Sequence, residues 1–126
     1  PALAIKDKKP FLSFAVQGGD TQDQNLLQFF LNMVEFEMNV QEAAEAANVN
    51  SYQMYSSFGT HSKEAGRIVV RDDTPPWVIK DLRSKGYNVV TRRLTSGPIN
   101  AIWFDHKNGT MWGGSSNFGE DYGIGW

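Results

Sequence analysis

The chain has 126 residues, which fits one domain, and 40% of them are hydrophobic against 21% charged, which excludes disorder over most of the length. Its net charge of −2 argues against strong electrostatic binding to nucleic acid, which needs a basic surface. With no cysteine, disulfides, zinc–thiolate sites, iron–sulfur clusters and a cysteine nucleophile are excluded.

In chain order, residues 2–6 and 11–17 read as two strands around the polar turn Asp7-Lys8-Lys9-Pro10. Gly18-Gly19-Asp20-Thr21 breaks the second strand and leads into a helix over 22–37, with Asp20 or Thr21 as its cap. Leu26, Leu27, Phe30, Met33 and Val34 share one face of that helix. Asn39 ends it and opens a second helix through the capping-box pattern Asn39-Val40-Gln41-Glu42, whose alanines at 43, 44, 46 and 47 predict close packing. Residues 52–57 read as a strand or extended segment, 58–66 as a polar loop and 67–71 as a strand. A third helix follows, with Thr74 as cap, Pro75 at its first position and Trp77, Ile79 or Val78, and Leu82 facing inward. Gly86 terminates it. Residues 87–93 form the next strand, and 99–105 with 110–112 a hairpin around Lys107-Asn108-Gly109. The glycine-rich stretch 113–126 is a loop-rich tail pinned by Trp112, Phe118, Tyr122, Ile124 and Trp126. The order β-β-α-α-β-β-α-β-β-β predicts an α+β fold, mostly antiparallel, with helices packed on a face of the sheet.

No run approaches the roughly 20 apolar residues of a membrane helix. Residues 1–10, with Lys6, Lys8 and Lys9, do not form a signal peptide. The expectation is a soluble chain with no targeting segment and its compartment left open. Because it begins with Pro1 and not Met, it is expected to be processed or a piece of something longer.

Several groups could carry chemistry. Two successive glycines before a helix can present backbone N–H groups to an oxyanion or carboxylate; local sequence alone favours a plain tight turn. His61 and His106 lie in separate polar loops without ligand-like neighbours, which favours solvated histidines over a metal site. Asp72-Asp73 precedes a helix, where acidic residues suit the dipole, and Glu120-Asp121 lies near the end. Arg92-Arg93 reads as a surface pair at a strand end. An N-terminal proline amine such as that of Pro1 can act as a base, as in tautomerases, but nothing else resembles those proteins. Trp77, Trp103, Trp112 and Trp126 fall on different elements, which favours core over sugar or base stacking.

Taken together, these segments resemble the C-terminal part of the small subunit of gamma-glutamyltranspeptidases, which are N-terminal nucleophile (Ntn) hydrolases of four-layer αββα fold. The likeness rests on Ala2-Leu3-Ala4-Ile5 with Lys6-Asp7-Lys8-Lys9, on Ala15-Val16-Gln17-Gly18-Gly19-Asp20, on residues 26–47 and on the glycine-rich 112–126. It is collinear and spans essentially the whole chain. Two positions depart from the family pattern. Ser115 is followed by Ser116-Asn117-Phe118 where Asp-Pro-Arg is usual, and Ala47-Asn48-Val49 replaces Ala-Pro-Arg. A related hydrolase or acylase of the same group therefore fits as well.

The resemblance implies that residues 1–126 form a single domain or domain fragment of an amidohydrolase or acyltransferase linked to glutathione metabolism. It places oxyanion-hole N–H groups on Gly18 and Gly19, and substrate contacts on Gln17 and Asp20. It implies a threonine nucleophile, with its own α-amine as base, and a serine pair, both on a segment upstream of Pro1. None of Thr21, Thr60, Thr74, Thr91, Thr95 or Thr110 can substitute without a free α-amine. This chain alone is then inactive. Its partners are an upstream or large-subunit segment of the same precursor, or a second copy, covering the apolar face of a half sandwich. Its substrate is a small gamma-glutamyl or related amide, with no cofactor, metal or nucleic acid. The competing expectation is a non-catalytic α+β binding or structural module. A partner polypeptide with an N-terminal threonine favours the first, a stable 14.1 kDa monomer the second.

Overall fold

The computed structural model describes residues 1–117 and 119. They fall into two compact units, the first comprising 1–17, 26–46 and 97 onward, the second 18–25 and 47–96.

In the first unit, β1 (Ala2–Lys6) and β2 (Lys9–Val16) are joined by Asp7 and Lys8, both at positive φ. Two such residues give the turn whose twist matches a tight hairpin. The turn is shorter than the expected four residues because Lys9 already pairs with Lys6. Phe11 is the extra residue of a bulge between the Ala4–Leu12 and Ile5–Pro10 pairs. β2 also pairs with β6 (Ile99–Asp105), and β6 with β7 (Thr110–Ser115), in an antiparallel sheet ordered β1-β2-β6-β7.

Period-two patterning selects the faces of this sheet. Leu12, Phe14 and Val16 of β2 are buried with Ile99 and Ala101 of β6. Phe29 of α1 (Gln22–Val34) joins them, its ring 5.6 Å from Phe14. The opposite face leaves Leu3, Ile102 and Met111 exposed.

α1 ends at Val34, before the expected Glu37, because Glu37 takes positive φ and the Met38 N–H turns back to the Asn32 carbonyl. α2 (Val40–Glu45) opens on the expected capping box. Asn39 Oδ1 accepts from the N–H groups of Gln41 and Glu42, and Glu42 Oε2 accepts from the Asn39 N–H. α2 is only six residues long, because Ala46 is already extended and leads into the next strand. Val40, Ala43 and Ala44 are buried. Close approach to β7 depends on Gly114, where a Cβ would stand 2.7 Å from the Val40 carbonyl oxygen. Ser116 locks the end of β7: its N–H donates to the Ile99 carbonyl and its Oγ accepts from the Ile99 N–H, both at 2.9 Å.

The β6–β7 connection is a four-residue loop, 106–109, not a tight two-residue turn. Only Gly109 takes positive φ, and the Asp105 carboxylate accepts from the N–H groups of Lys107 and Asn108. Of the tail, Trp112 is set beside Trp103, ring centroids 6.4 Å apart; Phe118, Tyr122, Ile124 and Trp126 lie outside the described residues.

The second unit holds β3 (Val49–Ser51), β4 (Arg67–Arg71) and β5 (Asn88–Arg92) in the order β3-β4-β5. β3 is antiparallel to β4, while β4 and β5 are parallel and joined by α3 (Pro76–Ser84). Ile68, Val70 and Val89 form the core under Ile79, Leu82 and Tyr87. Pro75, not Thr74, stands at the cap, and Pro76 takes the first helical position. Trp77 is 74% exposed, contrary to the expected inner face; on this nine-residue helix Ile79 and Leu82 suffice to reach the sheet. Gly86, at φ +90°, follows the helix as expected. Residues 52–57 are not a strand: β3 ends at Ser51, and Tyr52 begins a loop. Antiparallel sheets, one parallel strand pair and helices packed on sheet faces make this the α+β class expected from the sequence.

Candidate functional site

The turn between β2 and α1 is built for a close backbone approach. Gly18 sits at φ +141°, a conformation that L side chains rarely adopt. At Gly19 the crowding comes from a side chain: a Cβ there would lie 2.7 Å from Cε2 of Phe58, so any side chain at this position requires that ring to shift. The Gly19 carbonyl accepts from the Gln22 N–H at 3.1 Å, and the Thr21 carbonyl accepts from the Asn25 N–H at 3.0 Å. Thr21 thereby holds the cap position of α1. Among the described residues the N–H groups of Gly18 and Gly19 have no hydrogen-bond partner. Gln17, Gly18, Gly19 and Asp20 are all exposed. Two open N–H groups at the positive end of a 13-residue helix are suited to receive negative charge.

The first turn of α1 is fixed by side chains. The Gln24 amide makes two hydrogen bonds with the Ser51 backbone, donating to its carbonyl at 3.1 Å and accepting from its N–H at 2.7 Å. Buried Asn25 accepts from Asn48 Nδ2 at 2.6 Å. Asn48 in turn accepts from the Thr95 hydroxyl, and buried Asn50 donates to the Thr95 carbonyl. These bonds tie four residues together, while buried Asn25 Nδ2 and Asn50 Oδ1 have no hydrogen-bond partner among the described residues.

Asp20 does not cap α1. Its Oδ2 accepts from the Ser57 N–H at 2.7 Å, across 37 residues of sequence. That N–H first, then the Ser57 and Ser56 hydroxyls and the charge of His61, hold its carboxyl below the usual carboxylate range. The loop so tethered is closed on itself: Glu64 N–H donates to the Tyr52 carbonyl and Ser56 N–H to that of Ser62, both at 2.9 Å. His61, at positive φ, places Nδ1 2.9 Å from the Ser56 carbonyl. The turn is legible in the sequence, but Ser57, Phe58 and His61 as its neighbours are not. No local signal links positions 37 or more apart.

Gln17 belongs to the first unit, where its N–H donates to the Pro98 carbonyl at 3.3 Å and Gly97 passes against its backbone. His106 also lies in that unit, with Nε2 2.6 Å from the Pro10 carbonyl. Asp73 pairs with Arg71 through both carboxylate oxygens, and the Arg71 guanidinium keeps its carboxyl below the ordinary range. Glu120 and Asp121 lie outside the described residues. Among the described residues no three metal-ligating side chains cluster, and no helix is long and apolar enough to cross a membrane.

Comparison with known proteins places the chain in a family. The chain is 30% identical over 126 residues to the glutathione hydrolase proenzyme of Bacillus subtilis (strain 168), covering 98% of this chain and 20% of that protein. It is 26% identical over 113 residues to the acylase ACY 1 proenzyme of Pseudomonas sp. (strain V22), covering 90% of this chain and 18% of that protein. It thus spans about a fifth of the length of these relatives. The gamma-glutamyltranspeptidase from Pseudomonas nitroreducens complexed with L-DON shares the fold, with a TM-score of 0.82 at 20% identity over 100% of this chain and 61% of that one. The family model described as gamma-glutamyltranspeptidase matches residues 1–126, and this chain belongs to that family of Ntn hydrolases.

Proposed function

We propose that this chain is the C-terminal region of a gamma-glutamyltranspeptidase-like amidohydrolase or acyltransferase, and that it supplies the oxyanion-stabilising part of the active site. The observation that carries the reading is the exposed Gly18-Gly19 turn, whose two N–H groups at the start of α1 have no hydrogen-bond partner among the described residues, in a chain that matches the family along its whole length. Preorganised donors aimed at developing negative charge are among the largest contributions to acyl transfer. Gln17 and Asp20 flank the donors. Gln17 contributes a substrate contact, and Asp20 acts through its bond to Ser57.

In this reading residues 1–126 are one fragment of a longer protein, and the nucleophile is a threonine on an upstream segment of the same precursor. Its hydroxyl oxygen attacks the amide carbonyl, while its α-amine takes the hydroxyl proton. The carbonyl oxygen becomes an oxyanion held by the Gly18 and Gly19 N–H groups. Collapse expels the amine, which leaves with that proton and gives an acyl-threonine ester. Water or a second amine then cleaves the ester. The substrate is a small gamma-glutamyl or related amide; the similarity to a glutathione hydrolase proenzyme and to an acylase proenzyme supports both ends of that range. The exposed Leu3, Ile102 and Met111 support a further protein layer over the outer sheet face, contributed by the upstream segment.

An intact-mass spectrum of the denatured complete protein, before and after incubation with a gamma-glutamyl amide, tests this. The reading expects a polypeptide beginning with Thr that gains the mass of the acyl group. A protein that is never cleaved before a threonine and never acylated contradicts it.

A further inference from the structure

Phe58 lies beside the Gly18-Gly19 turn. Phe58 reaches Gly19 so closely that a Cβ there would stand 2.7 Å from its Cε2. It is delivered there by a loop tied down through Asp20 and Ser57 and closed by its own backbone bonds. The ring is nevertheless 65% exposed, and Tyr55 of the same loop is 66% exposed. A large aromatic with most of its surface open gains most by meeting another apolar group. The charged groups around it are committed elsewhere. Asp20 is held by Ser57, His61 faces the Ser56 carbonyl, and Lys63 Nζ sits 4.6 Å from the centre of the Tyr55 ring.

We propose that Phe58 is a specificity wall for the amine side of the scissile amide, so that the site prefers amides of aromatic or branched-aliphatic amines over those of small or charged amines. This rests on the oxyanion reading of Gly18 and Gly19. The acyl side, bearing carboxylate and ammonium groups in a gamma-glutamyl donor, needs charged partners that the ring does not offer. The amine side has no such need. Asp20 is a positioning residue here, acting through the loop.

The test uses the complete protein and two gamma-glutamyl amides, one of phenylalanine and one of glycine, and reads the ratio of their kcat/KM values. The proposal expects the parent protein to favour the phenylalanine amide. Phe58→Ala should lower the ratio about tenfold, the scale on which a pocket distinguishes small apolar changes. Asp20→Ala should lower it in the same direction by releasing the loop. Phe58→Leu, which keeps an apolar wall, should lower it less and serves if Phe58→Ala does not fold. Equal ratios in parent and variants, with amide turnover intact, overturn this proposal and leave the oxyanion reading standing. A parent protein that turns over neither amide overturns both.

Discussion

The side-chain amide of Gln41 meets the backbone of Ser115 as a strand would: Nε2 donates to the Ser115 carbonyl at 2.7 Å and Oε1 accepts from its N–H at 3.1 Å. Gln24 and Ser51 make the same pair of bonds in the second unit. In each case a glutamine in the first turn of a helix satisfies the backbone of a strand's last residue. Gln41→Ala should therefore destabilise the fold by about 1 kcal/mol, and Gln41→Glu by at least as much, since a carboxylate cannot donate to the Ser115 carbonyl. Urea unfolding of the complete protein measures this, and an unchanged midpoint in both variants contradicts it.

Gly113 and Gly114 are neighbours in β7 with opposite demands. A Cβ at 114 meets the backbone of Val40 at 2.7 Å, whereas one at 113 meets nothing within 4 Å. Gly114→Ala should cost about 1–3 kcal/mol, because α2 must move away from the sheet. Gly113→Ala should stay within about 0.5 kcal/mol of the parent. Thermal unfolding of the two variants side by side checks the contrast.

Ser116 directly follows β7. It is buried, and its hydroxyl accepts the Ile99 N–H. Ser116→Ala leaves that N–H without a partner in a dry site and should cost about 1–3 kcal/mol. Threonine keeps the acceptor and should restore part of the loss. Equal stability of parent and alanine variant rules the role out.

Much of this architecture is legible in the sequence, and the failures have physical causes. The order of ten elements follows from periodicity and punctuation, and the Asn39 box announces α2 by itself. The third strand is misplaced by a few residues because Tyr52 and Tyr55 suggest strand. The paired segment is instead Val49–Ser51, whose Asn50 is buried through bonds to residues far along the chain. Trp77 looks like core by composition, yet a short helix over a three-stranded sheet needs only Ile79 and Leu82. At the candidate site the glycine pair is readable from its place between strand and helix. The contacts of Asp20 with Ser57 and of Gly19 with Phe58 depend on tertiary folding alone.

The Asp20 tether sets a pH dependence. Its carboxyl is held below its ordinary range in the folded state, first by the Ser57 N–H. The contribution of the bond is therefore complete above the unfolded value of about 3.9 and disappears as pH falls through the lower folded value. The Ser57 amide resonance should shift with a midpoint below that of an ordinary aspartate, and Asp20→Asn should abolish the shift. A midpoint at or above the ordinary value contradicts the tether.

The central claim is that the N–H of Gly19 stabilises an oxyanion, and the clash with Phe58 determines how to test it. In the Phe58→Ala background, Gly19→Ala keeps the N–H and Gly19→Pro removes it, while neither meets the ring. Steady-state turnover of a gamma-glutamyl amide by the complete protein is the measurement. The proline variant should turn over about 10²-fold or more slowly than the alanine variant, as the loss of one oxyanion donor does. Equal turnover in the two would show that this N–H takes no part in the reaction.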